Sequence, residues 1–186
     1  PFYPAGTPPG DFLAHYATRF DAVEVDATYY AVPTRRLVDG WDEKTPQGFL
    51  LCAKFPRSIV HAGRGAQPDP ARLLTEATWA DRDAFLAAMS RLGDKLGPLL
   101  IQFPYFNRRA FAAPGPFLER LDAFLAALPA DFDYAVEIRN RRWLTPDFAA
   151  LLRAHRVAMT AVDQAWMPHG DELEGKLDLF TGPVLY

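Results

Sequence analysis

Along this chain, short apolar runs rich in β-branched residues alternate with segments whose apolar positions recur at helical spacing. The first helical pattern is Asp11–Arg19, with Phe12, Leu13 and Tyr16 on one face. Ala22–Thr28 then reads as a strand, Thr34–Glu43 as a helix with Thr34 as its N-cap, and Gly48–Lys54 as a second strand. A long Pro- and Gly-bearing loop, Phe55–Thr78, follows. Beyond it come a helix at Asp81–Leu92, a strand at Gly97–Phe103 and a helix at Pro116–Leu128. Tyr134–Arg139 reads as the next strand. Thr145-Pro146-Asp147 is a strong helix start, with a hydroxyl cap, Pro at the first position and an acid in the first turn. That helix ends near His155, Val157–Val162 is a strand, and Pro183–Tyr186 begins another.

Strands alternating with helices imply βαβ units and a parallel sheet. The sheet is either open and doubly wound or curved into a (β/α)8 barrel. No G-x-G-x-x-G and no G-x-x-x-x-G-K-[ST] follows any strand. Polar residues gather near the C-terminal ends of the strands, where a barrel builds its site. The expected fold is therefore α/β and TIM-barrel-like. A full barrel takes about 250 residues. Residues 1–186 read as a single barrel domain, truncated at both ends.

Composition adds limits. The formal charge is −3, with 49% apolar residues and 23% charged ones. These values belong to a folded globular chain and exclude a disordered or collagen-like one. One cysteine, Cys52, excludes a disulfide framework and suits a reducing compartment. No apolar run approaches the ~20 residues of a membrane span, and no signal peptide is legible, so a cytoplasmic location is expected.

Residues i and i+2 of a strand share a face. On the first strand Glu24, Asp26 and Thr28 are in phase. Lys54 follows Cys52, Gln102 follows Leu100, Arg139 follows Glu137, and Asp163 follows Ala161. If these faces point inward, they converge in one pocket. Glu24 and Glu137 would serve as an acid/base pair. A desolvated Lys54 suits a Schiff base, and Arg139 an anion. His61, in the loop beyond Lys54, is a further acid/base candidate. Asp26, Thr28, Tyr29, Gln102, Arg139, Trp143 and Asp163 would contact the substrate.

The oxygens of Glu24, Asp26, Glu137 and Asp163, with a His61 nitrogen, suit Mg²⁺ or Mn²⁺. Lys54 and Arg139 already supply counter-charge, so no cofactor or metal site is required. H-E-x-x-H, C-x-x-C and G-x-S-x-G are absent. Six arginines (57, 64, 108, 109, 141 and 142) fall in loops after strands, interleaved with Tyr29, Tyr30, Tyr105, Phe106, Trp143 and Trp166. That pattern suits a small anionic, stackable ligand. A nucleic-acid module is the weaker alternative, given the negative net charge. A non-catalytic barrel with a structural polar network is the third reading.

Several motifs, in order, resemble one family. They are Pro1-Phe-Tyr-Pro4, Tyr16–Phe20, Val23-Glu-Val-Asp-Ala-Thr-Tyr-Tyr30, Trp41 with Thr45–Phe49, and Ala53-Lys-Phe-Pro-Arg57 with His61. Leu96–Pro104 and Val136-Glu-Ile-Arg139 with Trp143 continue the series. The chain is similar to the YecE-like family, domain of unknown function 72. Asp26 stands where that family favours Asn, Ala27 where it favours Ser, and Asn140 where it favours His. The resemblance implies a TIM barrel without an established activity. It also implies a fold-level analogy to metal-dependent sugar isomerase and endonuclease barrels.

Overall fold

Alternation of side chains across each strand gives the sheet two unlike faces. In the computed structural model, which describes residues 2–173 and 175–186, five strands form one parallel sheet. They are β1 (Ala22–Val25), β2 (Leu50–Lys54), β3 (Leu96–Gln102), β4 (Tyr134–Glu137) and β5 (Ala158–Met159). Their spatial order is β1-β2-β3-β4-β5, and all four pairings are parallel. The helices are α1 (Phe12–Tyr16), α2 (Ala27–Tyr30), α3 (Arg35–Lys44), α4 (Arg57–Val60), α5 (Trp79–Met89), α6 (Pro114–Ala126), α7 (Pro146–Ala154) and α8 (Gly170–Leu173).

One face of the sheet carries Leu51, Ala53, Leu99, Ile101, Tyr134, Val136 and Met159, all buried. Against it pack Val38 of α3, Phe85 and Met89 of α5, Phe117, Leu121 and Phe124 of α6, and Phe148 and Leu152 of α7. The opposite face holds a small separate cluster, Leu100, Ala135 and Ala158, against which Val184 and Tyr186 pack. Helices on one face, and strands in sequential order without a reversal, are the arrangement of a barrel sector and not of a doubly wound sheet. The sheet is open. No described helix is long and apolar enough to cross a membrane.

Both expected caps form. The Thr34 and Thr145 hydroxyls accept from the Leu37 and Phe148 amides, each at 3.3 Å. Several boundaries differ from expectation. The first strand ends at Val25, because Asp26 already turns into α2. The first helix spans Phe12–Tyr16, and β5 is two residues long. The long loop contains α4. Pro1, the start of the first family-like motif, lies outside the described residues.

Close approaches in and beside the sheet favour glycine at 97 and 182. Between Leu51 and Ala53, β3 advances three residues against two of β2. A Cβ on Gly97 in that bulge would lie 2.7 Å from Cys52 Sγ. A Cβ on Gly182 would lie 2.5–2.9 Å from the Val157–Ala158 backbone. Glycine there lets the segment 182–186 run beside β5, where Ala161 N–H donates to the Tyr186 carbonyl at 2.9 Å.

Candidate functional site

The strand registers place Lys54, Leu100, Ala135 and Ala158 side by side on the inner face. Beyond this largely apolar row, toward the C-terminal ends, Gln102 pairs with Glu137. The polar ring expected from alternation is therefore split into two groups: Lys54 lies in this row with Glu24 one step below it beside Cys52, and Gln102 and Glu137 stand above it.

In the first group Lys54 Nζ lies 2.9 Å from Glu24 Oε1 and 2.5 Å from Asp26 Oδ1. Tyr186 donates its hydroxyl proton to Glu24 Oε2 at 2.5 Å. Burial alone would lower the Lys54 pKa, but the hydrogen bonds and charges of Asp26 and Glu24 raise it above its ordinary value. Lys54 is thus held as a cation. Schiff-base chemistry needs the neutral amine, and this arrangement opposes it. Burial, then the Glu24 bond, pushes the Tyr186 phenol far up. Burial also raises the Cys52 thiol, with Glu24 adding to the effect.

In the second group Glu137 is 6% exposed. Gln102 Nε2 donates to its Oε2 at 2.6 Å, and Arg139 Nε donates to its Oε1 at 3.0 Å. Both carboxylate oxygens of a buried acid are thereby satisfied. Arg139 also lines a cleft of about 580 Å³ at the C-terminal ends of β3 and β4. The β3 loop supplies Tyr105, Phe106 and Arg108 to this cleft, and the β4 loop supplies Arg141, Arg142 and Trp143. Trp166 joins them from beyond β5. Among the described residues, four arginines and no Asp or Glu line it.

Other expected site residues lie elsewhere or act differently. Thr28 is fully buried in α2, not on the strand. Its hydroxyl donates to the Val25 and Lys54 carbonyls and accepts from Lys54 N–H, so it ties the end of β1 to the end of β2. Tyr29 packs against the main core. Asp163 is outside the ring: its side chain is 93% exposed, 3.4 Å from His169 Nδ1. The inward phase on β5 belongs to Ala158, which puts Thr160, not Asp163, next on that face. The Thr160 hydroxyl is buried without a hydrogen-bond partner among the described residues.

His61 is buried within its own loop. Its Nδ1 accepts from Gly63 N–H at 3.2 Å, and its Nε2 lies between Arg57 Nη2 at 3.3 Å and the Ala66 carbonyl at 3.4 Å. Burial, helped by the Arg57 charge, holds its pKa below the usual 6.5. Arg57 spends its guanidinium on the Gly63 and Gly65 carbonyls, so it closes the loop and does not face a ligand. Among the described residues no group of three or more His, Cys, Asp or Glu side chains is placed to hold a metal ion.

Alternation found Glu24, Lys54, Gln102, Glu137 and Arg139, and it missed two inner residues. Thr160 would have followed from phasing the fifth strand on Ala158. Tyr186 reaches the site from the segment after β5, and its only signal was the apolar character of the Pro183–Tyr186 run.

Residues 1–179 match the family described as protein of unknown function DUF72. The UPF0759 protein YecE of Escherichia coli (strain K12) is 36% identical over 129 residues, 69% of this chain and 41% of the relative. The UPF0759 protein YunF of Bacillus subtilis (strain 168) is 28% identical over 154 residues, 78% of this chain and 49% of the relative. The chain thus spans less than half the length of either. A DUF72 family protein of Thermotoga maritima MSB8 superposes with a TM-score of 0.63 at 27% identity, over 90% of this chain and 60% of that one. One from Enterococcus faecalis V583 gives 0.63 at 23% identity, over 92% and 60%, and speaks for the fold alone.

Proposed function

The chain belongs to the DUF72 family, and from that premise we propose that the C-terminal face of its sheet is an active site for a small anionic substrate of the sugar-phosphate kind. One observation carries the reading: a buried carboxylate, Glu137, is clamped by Gln102 and Arg139, the latter lining a cleft with four arginines and, among the described residues, no acid. Arginine's planar fork suits phosphate or carboxylate. Arg139 bridges the two functions, with Nε on Glu137 and its terminal nitrogens, which have no partner among the described residues, available to the ligand.

In this reading Glu137 is the general base and Glu24 its acid/base counterpart on β1. Lys54 is an electrostatic stabiliser, and Asp26 and Thr28 hold it in place. Gln102 orients Glu137, and Trp143 packs the cleft floor. His61 shapes the loop beyond β2. The positive charge comes from Lys54 and Arg139, so the chemistry needs no cofactor. Asp163, exposed and outside the ring, has no part.

A second reading has its own support. Glu24, Asp26 and Lys54 satisfy one another directly, as a structural network would. A panel of sugar phosphates incubated in D₂O, followed by proton NMR for conversion or C–H exchange, tests the enzyme reading. Wild-type protein is expected to act on at least one of them. Glu137→Gln, with an unchanged melting temperature, is expected to lose at least about a hundredfold of that rate. A folded Glu137→Gln protein with full turnover contradicts the role of Glu137. Full turnover in Lys54→Met assigns the first group to structure.

A further inference from the structure

We propose that the cleft between the β3 and β4 loops is a nucleoside-monophosphate site, its arginines taking the phosphate and its exposed aromatic residues taking the base. The proposal rests on the small-anion reading above and adds the class of the ligand.

Charge comes first. The whole chain carries −3, yet this one cleft is lined by Arg108, Arg139, Arg141 and Arg142, and among the described residues no Asp or Glu lines it; Glu137, behind it, engages Arg139 alone of the four. Among the described residues, no hydrogen bond or ion pair engages the guanidinium of Arg108, Arg141 or Arg142. Arg91 is engaged by Asp39, Arg153 by Asp178 and Arg57 by loop carbonyls, whereas other arginines without such a bond among the described residues, such as Arg19, Arg36 and Arg156, are scattered and do not share one concavity. Unspent arginines converging on one concavity suit a phosphate monoester, with its double charge and three oxygens. The cleft also borders the start of α6, at Ala113–Pro114, which has no side-chain cap. The positive end of that helix adds to the same potential.

The aromatic residues divide into two kinds. Phe106, Phe111 and Trp143 are buried and packed on one another, with Phe106 and Trp143 stacked at 5.9 Å between centroids. They make the floor. Tyr105 and Trp166, by contrast, are 64% and 57% exposed. A sugar phosphate would satisfy the arginines and leave both of these rings in water. A nucleobase attached to the same phosphate would cover them by stacking, which discriminates little between bases. A cleft of about 580 Å³ lies within the range of small-ligand sites.

Titration calorimetry of the full chain with AMP, ribose 5-phosphate, adenosine and a ten-residue oligothymidylate tests the proposal. AMP is expected to bind at least about tenfold tighter than ribose 5-phosphate or adenosine and to quench tryptophan fluorescence. Trp166→Ala should bring AMP down to the level of ribose 5-phosphate and leave the latter unchanged. Arg141→Ala with Arg142→Ala should weaken both phosphates and not adenosine. Circular dichroism checks that each variant is folded. Equal wild-type affinity for AMP and ribose 5-phosphate overturns the nucleotide class and leaves the small-anion reading standing. No binding of either phosphate removes both. An oligothymidylate that binds tighter than AMP, with several phosphates' worth of salt dependence, overturns it in favour of a nucleic-acid site.

Discussion

The hydroxyl of Tyr186 donates to Glu24 Oε2 at 2.5 Å, joining the segment beyond β5 to β1 across the inner face of the sheet. Glu24 is therefore held from two sides, by this phenol and by the Lys54 ammonium. Replacing Tyr186 by Phe deletes one hydrogen bond to a charged acceptor and keeps the ring. The expected loss is about 1–2 kcal/mol in urea unfolding. An unchanged midpoint would mean that the segment does not hold Glu24 in solution.

Lys54 supports a pH-dependent prediction. Its folded pKa is raised above the ordinary 10.5, so its stabilisation is complete below that pH and is lost as pH climbs through the higher folded value. Lys54→Met leaves Glu24 and Asp26 together without their cation. Both acids are partly exposed, so the expected cost is below that of a fully buried pair, about 2–3 kcal/mol at pH 7. Stability curves of wild type and variant should converge above pH 10.5. Parallel curves there would contradict the ion pairing.

For His61 the sign is opposite. Its folded pKa is lowered below 6.5, so the loop's stability is present above that pH and is lost as pH falls through it. An NMR titration of its ring should give an apparent pKa below 6.5. Proteolysis within residues 57–66 should accelerate on acidification in wild type and not in His61→Gln. A titration at or above 6.5 would mean that the ring is not enclosed by its loop.

Gly182 and Gly115 make a matched test of close approach. A methyl at Gly182 meets the β5 backbone, whereas nothing lies within 4 Å of one at Gly115 in α6. Gly182→Ala should cost about 1–3 kcal/mol and weaken the Tyr186–Glu24 bond. Gly115→Ala should be neutral or stabilising by up to about 1 kcal/mol. Equal effects would show that the segment 182–186 is not docked on β5.

Most of the sheet was legible from short apolar runs, because strands buried on both faces carry apolar residues at successive positions. Leu99, Ile101 and Val136 on one face, and Leu100 and Ala135 on the other, illustrate this. The caps at Thr34 and Thr145 were legible because they are local hydrogen bonds. The ends of strands were not. At Asp26 the chain turns into α2, so extending the alternation to Thr28 gave a strand residue that is a buried tie between turns. At β5 the run Val157–Val162 carried no mark of where extended pairing stops, and phasing from its far end selected Asp163 in place of Thr160. The cleft was half legible. Arginines and aromatics in loops were visible in the sequence, but not which of them the protein spends on itself. Arg57 and Arg142 read alike until their partners are seen.

The central claim is that the arginine-lined cleft beside Glu137 holds a small anion. Titration calorimetry with ribose 5-phosphate, on wild type and on Arg139→Ala/Arg142→Ala, tests it most directly. The account predicts one saturable site in wild type, weakened at least about tenfold by the double substitution, which lowers the melting temperature because Glu137 loses its Arg139 partner but leaves the protein folded by circular dichroism. Equal affinity in the two proteins, or no binding to either, would contradict it.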